Sequence, residues 1–123
     1  MITIFKPYIE KRDSFSRLIT KVRIGDDKLR EIYVEVGNDF EQYLVVERND
    51  AMLLAILPYA LRNQQDITCE APISEELLYN IKIRLLPTLK KGDSRVYIPQ
   101  IYCECISEYQ NNSGAIGTGI SGG

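Results

Sequence analysis

The sequence predicts an α+β fold, an N-terminal β-hairpin and mixed sheet packed against two main helices. Two early stretches alternate apolar and polar residues with a strand's period of two, on either side of a turn-forming Gly-Asp-Asp. Two later segments have the length and apolar spacing of helices. The runs that follow each helix, rich in β-branched and aromatic residues, read as strands.

"ITIFKPYIE" opens the chain as a strand, and its internal Pro7 suits an edge position or a bulge. "SRLITKVRI" and "REIYVEV" then form a hairpin around "GDDKL", where Gly25, Asp26 and Asp27 favour a turn. If Ile24 pairs opposite Arg30, then Val22, Thr20 and Leu18 face Ile32, Val34 and Val36. On the other side Arg23 meets Glu31 and Ile19 meets Glu35. The first 30 residues hold eight Lys or Arg against four Asp or Glu, while the remainder carries a charge of −6. Cross-strand pairing neutralises that basic excess and makes it a solvated hairpin face rather than a binding patch.

"AMLLAILPYALRN" is a buried helix with Asn49 or Asp50 as N-cap, and Pro58 predicts a kink or a break into two short helices. "DITCEA" is a short strand. "APISEELLYNIKIRLLPTLKKG" begins a helix at Ser74, with Glu75 and Glu76 at its positive end and Ile73 placed to staple onto Leu78. Leu77, Leu78, Ile81, Leu85 and Leu89 recur on one face as core residues, Lys90 and Lys91 suit the negative end, and Gly92 stops the helix. "SRVYIPQIYCECISE" reads as a long central strand, bulged at Pro99, that places Ile101, Cys103 and Cys105 on one face as buried, reduced thiols. "AIGTGI" is a last strand docked beside it, so that residues 113–123 run from a strand into an incomplete phosphate loop.

The chain of 123 residues, 45% apolar and 26% charged, has the length for one domain spanning 1–123. A net charge of −2 supplies no electrostatic case for nucleic acid or an anionic membrane. No apolar run reaches the roughly 18 residues of a spanning helix, and the N-terminus meets charge and proline too early for a signal peptide, which predicts a cytoplasmic protein. Histidine is absent, which removes the commonest general base and every Ser-His or Cys-His nucleophile pair. Cys69, Cys103 and Cys105 supply three thiolates at most, so a closed structural zinc site would need a carboxylate or a second chain, and buried cysteines acting as small apolar residues are the simpler reading. The expectation is therefore no metal site and no catalytic residue in this chain.

The ending "GTGISGG" bears on function. Gly117, Gly119 and Gly122 fit G-x-G-x-x-G, but no helix and acidic residue follow within the sequence, and no lysine completes a Walker A loop. Instead it resembles the strand and loop start of the PP-loop ATP pyrophosphatases, whose signature is S-G-G-x-D-S, with Ser121, Gly122 and Gly123 at its first three positions. Upstream, the order of "DAMLLAILPYALRN", "APISEELLYNI" and "IYCECI" resembles a bacterial group in which an N-terminal α+β domain precedes a PP-loop domain. Ala71, Pro72, Ile73 and Ser74 follow that group's helix start closely, and Leu57-Pro58-Tyr59-Ala60 departs from its L-P-A-M-like helix in the last two positions.

The resemblance covers residues 29–123 and implies an N-terminal accessory domain cut three residues into the loop. It implies phosphate-binding roles for Ser121, Gly122 and Gly123, with a C-terminal PP-loop domain as partner. ATP and Mg would serve the full-length protein, which would adenylate a substrate and release pyrophosphate, and no cofactor belongs to this chain. Without the resemblance, the same residues describe an autonomous protein-interaction module with a Gly-rich tail, and either reading leaves a homo-oligomer open.

Overall fold

The computed structural model describes residues 1–107. The fold is α+β. Its strands are β1 (Ile2–Ile4), β2 (Tyr8–Lys11), β3 (Phe15–Ile24), β4 (Arg30–Gly37), β5 (Ile67–Cys69), β6 (Ile73–Ser74), β7 (Ile101–Tyr102) and β8 (Cys105–Ile106). A 3-10 turn, Asn38–Tyr43, follows β4, and α1 is Asp50–Asn63. A second helical rod runs from α2 (Glu75–Tyr79) through a π-helical stretch (Asn80–Leu85) into α3 (Leu86–Gly92).

The sheet is organised by β3, which pairs antiparallel with β4 on one edge and with β2 and then β1 on the other. β5 and β7 continue the sheet in parallel beyond β1. Ile4 stands opposite Val22, yet Tyr8 stands opposite Ile19, so residues 5–7 face only two residues of β3. This is a bulge at Pro7, where a residue without an N–H cannot extend the ladder.

The hairpin forms as the alternation predicts, but its register is two residues away from the Ile24–Arg30 pairing. Val22 lies opposite Arg30, where the β3–β4 ladder ends; on the other edge of β3, Ile24 pairs with Ile2 of β1, and the Gly25 N–H donates to the Met1 carbonyl at 2.8 Å. Gly25 turns the chain at φ +59°, a conformation that favours glycine. Because a two-residue slide keeps every side chain on its face, Leu18, Thr20 and Val22 still point inward. The charge pairs change: Lys21 now faces Glu31, and Arg17 faces Glu35 with its Nε 3.0 Å from the carboxylate. The Arg17 guanidinium also lies over the Tyr33 ring, 4.3 Å from its centre.

One face of the sheet holds the core. Ile2, Ile4, Leu18, Val22, Ile67, Cys69 and Ile101 pack with Met52, Leu53, Leu57 and Ala60 of α1 and with Ile81 and Leu86 of the second rod. On the opposite face Ile19 is buried between its register partners Tyr8 and Tyr33.

α1 runs unbroken through Pro58, so of the kink or break expected there the break does not occur. Pro58 forfeits the bond to the Leu54 carbonyl, but both residues are exposed, on the side of the helix where losing that bond costs least. In the second rod, Leu85 and Leu89 are exposed and Leu86 is buried in their place. The π-turn explains the change: by lengthening one turn to five residues, it rotates the face that follows, so that Leu86 aligns with Ile81. Pro87 sits just beyond, where its ring would crowd the carbonyl of Ile83 in a regular α-helix.

The expected long central strand is not formed. Residues 94–100 are irregular, Pro99 is buried, and only β7 and β8 form, with β7 at the end of the described sheet. The Asp66 carboxylate takes over the role of a ladder there, accepting from the Tyr97 hydroxyl at 2.6 Å and the Gln100 N–H at 2.9 Å. At residues 103–104 the chain leaves the main sheet, and β8 pairs with β6 in a separate two-stranded ribbon.

Relieving the proline in α1 is expected to stabilise the protein: Pro58→Ala should raise the unfolding free energy by about 1–3 kcal/mol. Urea melts of the two proteins measure this, and an unchanged midpoint counts against the account of Pro58.

Candidate functional site

Arg48, Asn49 and Asp50 lead into α1, and the fold uses each differently. Asn49 occupies the N-cap position, but its side chain caps nothing in the helix. Fully buried, it donates from Nδ2 to the Phe5 carbonyl at 3.0 Å and accepts at Oδ1 from the Ala71 N–H at 2.9 Å. Its backbone N–H donates to the Pro72 carbonyl, and its own carbonyl accepts from the Leu53 N–H. Asp50 accepts from the Ser74 N–H at 2.8 Å, and Ser74 Oγ in turn accepts from the Leu77 N–H as the expected N-cap of α2. This start of α1 therefore anchors the bulge of β1 and β2 and the turn before α2 at once.

Beside that anchor lies a cavity of about 360 Å³, lined by Leu18, Val34, Tyr43, Leu44, Val45, Ala51, Arg48 and Asp50. Its walls are the inner face of β3 and β4, the segment that follows the 3-10 turn, and the first turn of α1. Arg48 is buried and Asp50 is held by Ser74, so the open lining is chiefly aliphatic with the Tyr43 ring at its edge. A volume of this size suits a large side chain or a small apolar group.

The thiols are all free, but the expectation that Cys103 and Cys105 lie buried on one strand face is corrected. Cys105 is exposed and Cys103 only half-buried, because the chain changes sheets between them. Cys69 is buried, and burial first, then Cys103 and Asp50 nearby, push its thiol up to about 12. Cys103 is also raised, by burial and then by Cys105, with Lys82 opposing. Neither is a thiolate nucleophile at neutral pH. Among the described residues no group of three or more His, Cys, Asp or Glu side chains is arranged to hold a metal ion.

The phosphate-loop residues Ser121, Gly122 and Gly123 lie outside the described residues, as does the strand expected over 113–123. The site that the structure does assemble was not announced by the sequence. Arg-Asn-Asp before an apolar run signals a helix start, but nothing in that spelling tells which polar side chain is buried. Among the described residues no helix is long and apolar enough to cross a membrane.

Two measurements test these assignments. Asn49→Ala leaves the Phe5 carbonyl and the Ala71 N–H without partners and should cost about 2–4 kcal/mol, read from denaturant unfolding; a loss under about 0.5 kcal/mol contradicts the anchor. The second concerns acid. The Tyr97 hydroxyl and then the Gln100 N–H hold the Asp66 carboxyl below its ordinary value, with the N-terminal ammonium adding to them. Its folded-state pKa is thus below the unfolded one, so its contribution is complete above the unfolded value of about 3.9 and is lost as pH falls through the folded value. Asp66→Asn should flatten that part of the acid limb in a stability profile between about pH 5 and pH 2; an unchanged limb argues against it.

Comparison of the chain with protein families, with curated proteins and with solved structures finds no match.

Proposed function

We propose that this chain is a non-catalytic accessory domain of a PP-loop ATP pyrophosphatase, cytoplasmic and bacterial, that offers a binding surface beside the catalytic domain. The observation that carries the non-catalytic part is the character of the cavity: an aliphatic lining, a buried Arg48, and an Asp50 engaged with the Ser74 backbone. Such walls recognise shape and apolar surface, whereas acid–base or nucleophilic chemistry needs a titratable group aimed at a substrate atom. The ending supports the family part. Ser121, Gly122 and Gly123 supply the first half of S-G-G-x-D-S, and ATP and Mg would be bound by a loop and helix continuing beyond them.

In this reading the PP-loop partner performs the adenylation, and the present domain shapes access to the adenylate. The absence of histidine suits recognition rather than turnover. The alternative is an autonomous protein-interaction module whose Gly-rich tail is a linker.

Purified chain incubated with Mg-ATP is expected to release neither phosphate nor pyrophosphate above the blank. Turnover that survives repurification and disappears on substituting a residue of this chain overturns the proposal. The coding sequence after Gly123 separates the two readings: an in-frame x-D-S supports the PP-loop domain, and a stop codon or unrelated sequence leaves the interaction module.

A further inference from the structure

β4 bonds to β3 along its length, and its other edge meets no strand among the described residues. An edge of eight residues with outward N–H and C=O groups is a template for one more strand. Proline and bulges, the usual devices that blunt such an edge, are absent from its continuous register with β3.

The side chains flanking this edge are of two kinds. On the helix side Val34 is 47% exposed and lines the apolar cavity, so the helices leave that face uncovered. On the other side stand Glu31, Tyr33 and Glu35, with Tyr33 53% exposed. The chain then stays acidic: residues 31–47 contain Glu31, Glu35, Asp39, Glu41 and Glu47, and no lysine or arginine. Arg17 engages Glu35, and Lys11 lies 3.9 Å from Glu41, but Asp39 and Glu47 are exposed acidic groups. Phe40 and Tyr43 add exposed rings.

We propose that the open edge of β4 binds an extended peptide of alternating basic and apolar residues by strand addition. Successive side chains of an added strand point to opposite faces. Those on the helix side meet Val34 and fill the cavity, and those on the other side are drawn chiefly by Glu31, whose carboxylate accepts from the Tyr8 hydroxyl at 3.4 Å, because Glu35 is bridged to Arg17 at 3.0 Å. Backbone bonds would supply the affinity, and the cavity and carboxylates would supply the selection. A second copy of this chain is a poorer occupant: in the symmetric antiparallel register centred on Tyr33, Glu31 of each copy opposes Glu35 of the other. The proposal is independent of the PP-loop reading.

The probes are the acetylated, amidated peptides Lys-Val-Lys-Leu-Lys-Val-Lys, its counterpart with every lysine replaced by glutamate, and Lys-Ser-Lys-Ser-Lys-Ser-Lys. Binding is followed by fluorescence anisotropy, and the site by amide exchange over residues 30–37. The first peptide should bind and slow exchange of alternate β4 amides, with the other two weaker by about ten-fold or more. Val34→Glu and, at an exposed position that keeps the test valid should the first fail to fold, Glu31→Lys should each weaken it several-fold. Equal binding of the lysine–serine peptide, or unchanged exchange in β4, overturns the proposal. So does a dimer in sedimentation equilibrium that Val34→Glu dissolves, because a second copy then occupies the edge; a monomer supports it.

Discussion

The side chain of Asn49 joins the two layers of this protein. A buried amide must satisfy its donor and its acceptor, and here the groups it satisfies belong to different elements: the Phe5 carbonyl in the bulge between β1 and β2, and the Ala71 N–H in the turn before α2. With its backbone also bonded to Pro72 and Leu53, it fixes the start of α1 over the sheet. Capping the helix with the same side chain would serve local stability by about 1 kcal/mol. The fold instead spends it on the Phe5 carbonyl and the Ala71 N–H, and leaves the first turn of α1 without that cap.

From that anchor the helix layer follows. α1 lies against β1 and β5, and the second rod is brought in by Asp50 holding the Ser74 N–H. The π-turn then presents Leu86 to the core after Ile81. This arrangement concentrates helical cover over the middle of the sheet. Among the described residues β4, at one side, receives only the 3-10 turn and the segment into α1, and the apolar cavity is the space that results.

The other end of the sheet depends on Asp66 rather than on a continuous ladder. Its carboxylate gathers Tyr97 and Gln100, while the Ile2 and Ile67 N–H groups donate to the Asp66 and Gln100 carbonyls. Residues 94–100 therefore hold an ordered course without strand pairing, and the chain can step from β7 to β8 and into a second small sheet. Cys105 becomes exposed by that step.

Local chemistry was legible from the residues alone: the alternation that makes β3 and β4, the turn at Gly25, the bulge at Pro7, the Ser74 cap, the helix end at Gly92, and hence the α+β class. Each rests on residues within a few positions of one another, where propensity and period act directly. The hairpin register was settled in the folded chain, where the turn closed by the Asp27 N–H on the Ile24 carbonyl leaves residues 23–29 outside the β3–β4 ladder. The tertiary structure decided which leucine of the second rod is buried, because a π-turn near Pro87 rotates the face. It replaced the expected central strand with an irregular segment, because Asp66 lies more than 30 positions away from the groups it binds. The cavity beside β4 was illegible for a similar reason: its walls come from β3, from β4 and from residues 43–51, stretches that only the strand pairing and the seating of α1 on the sheet bring together.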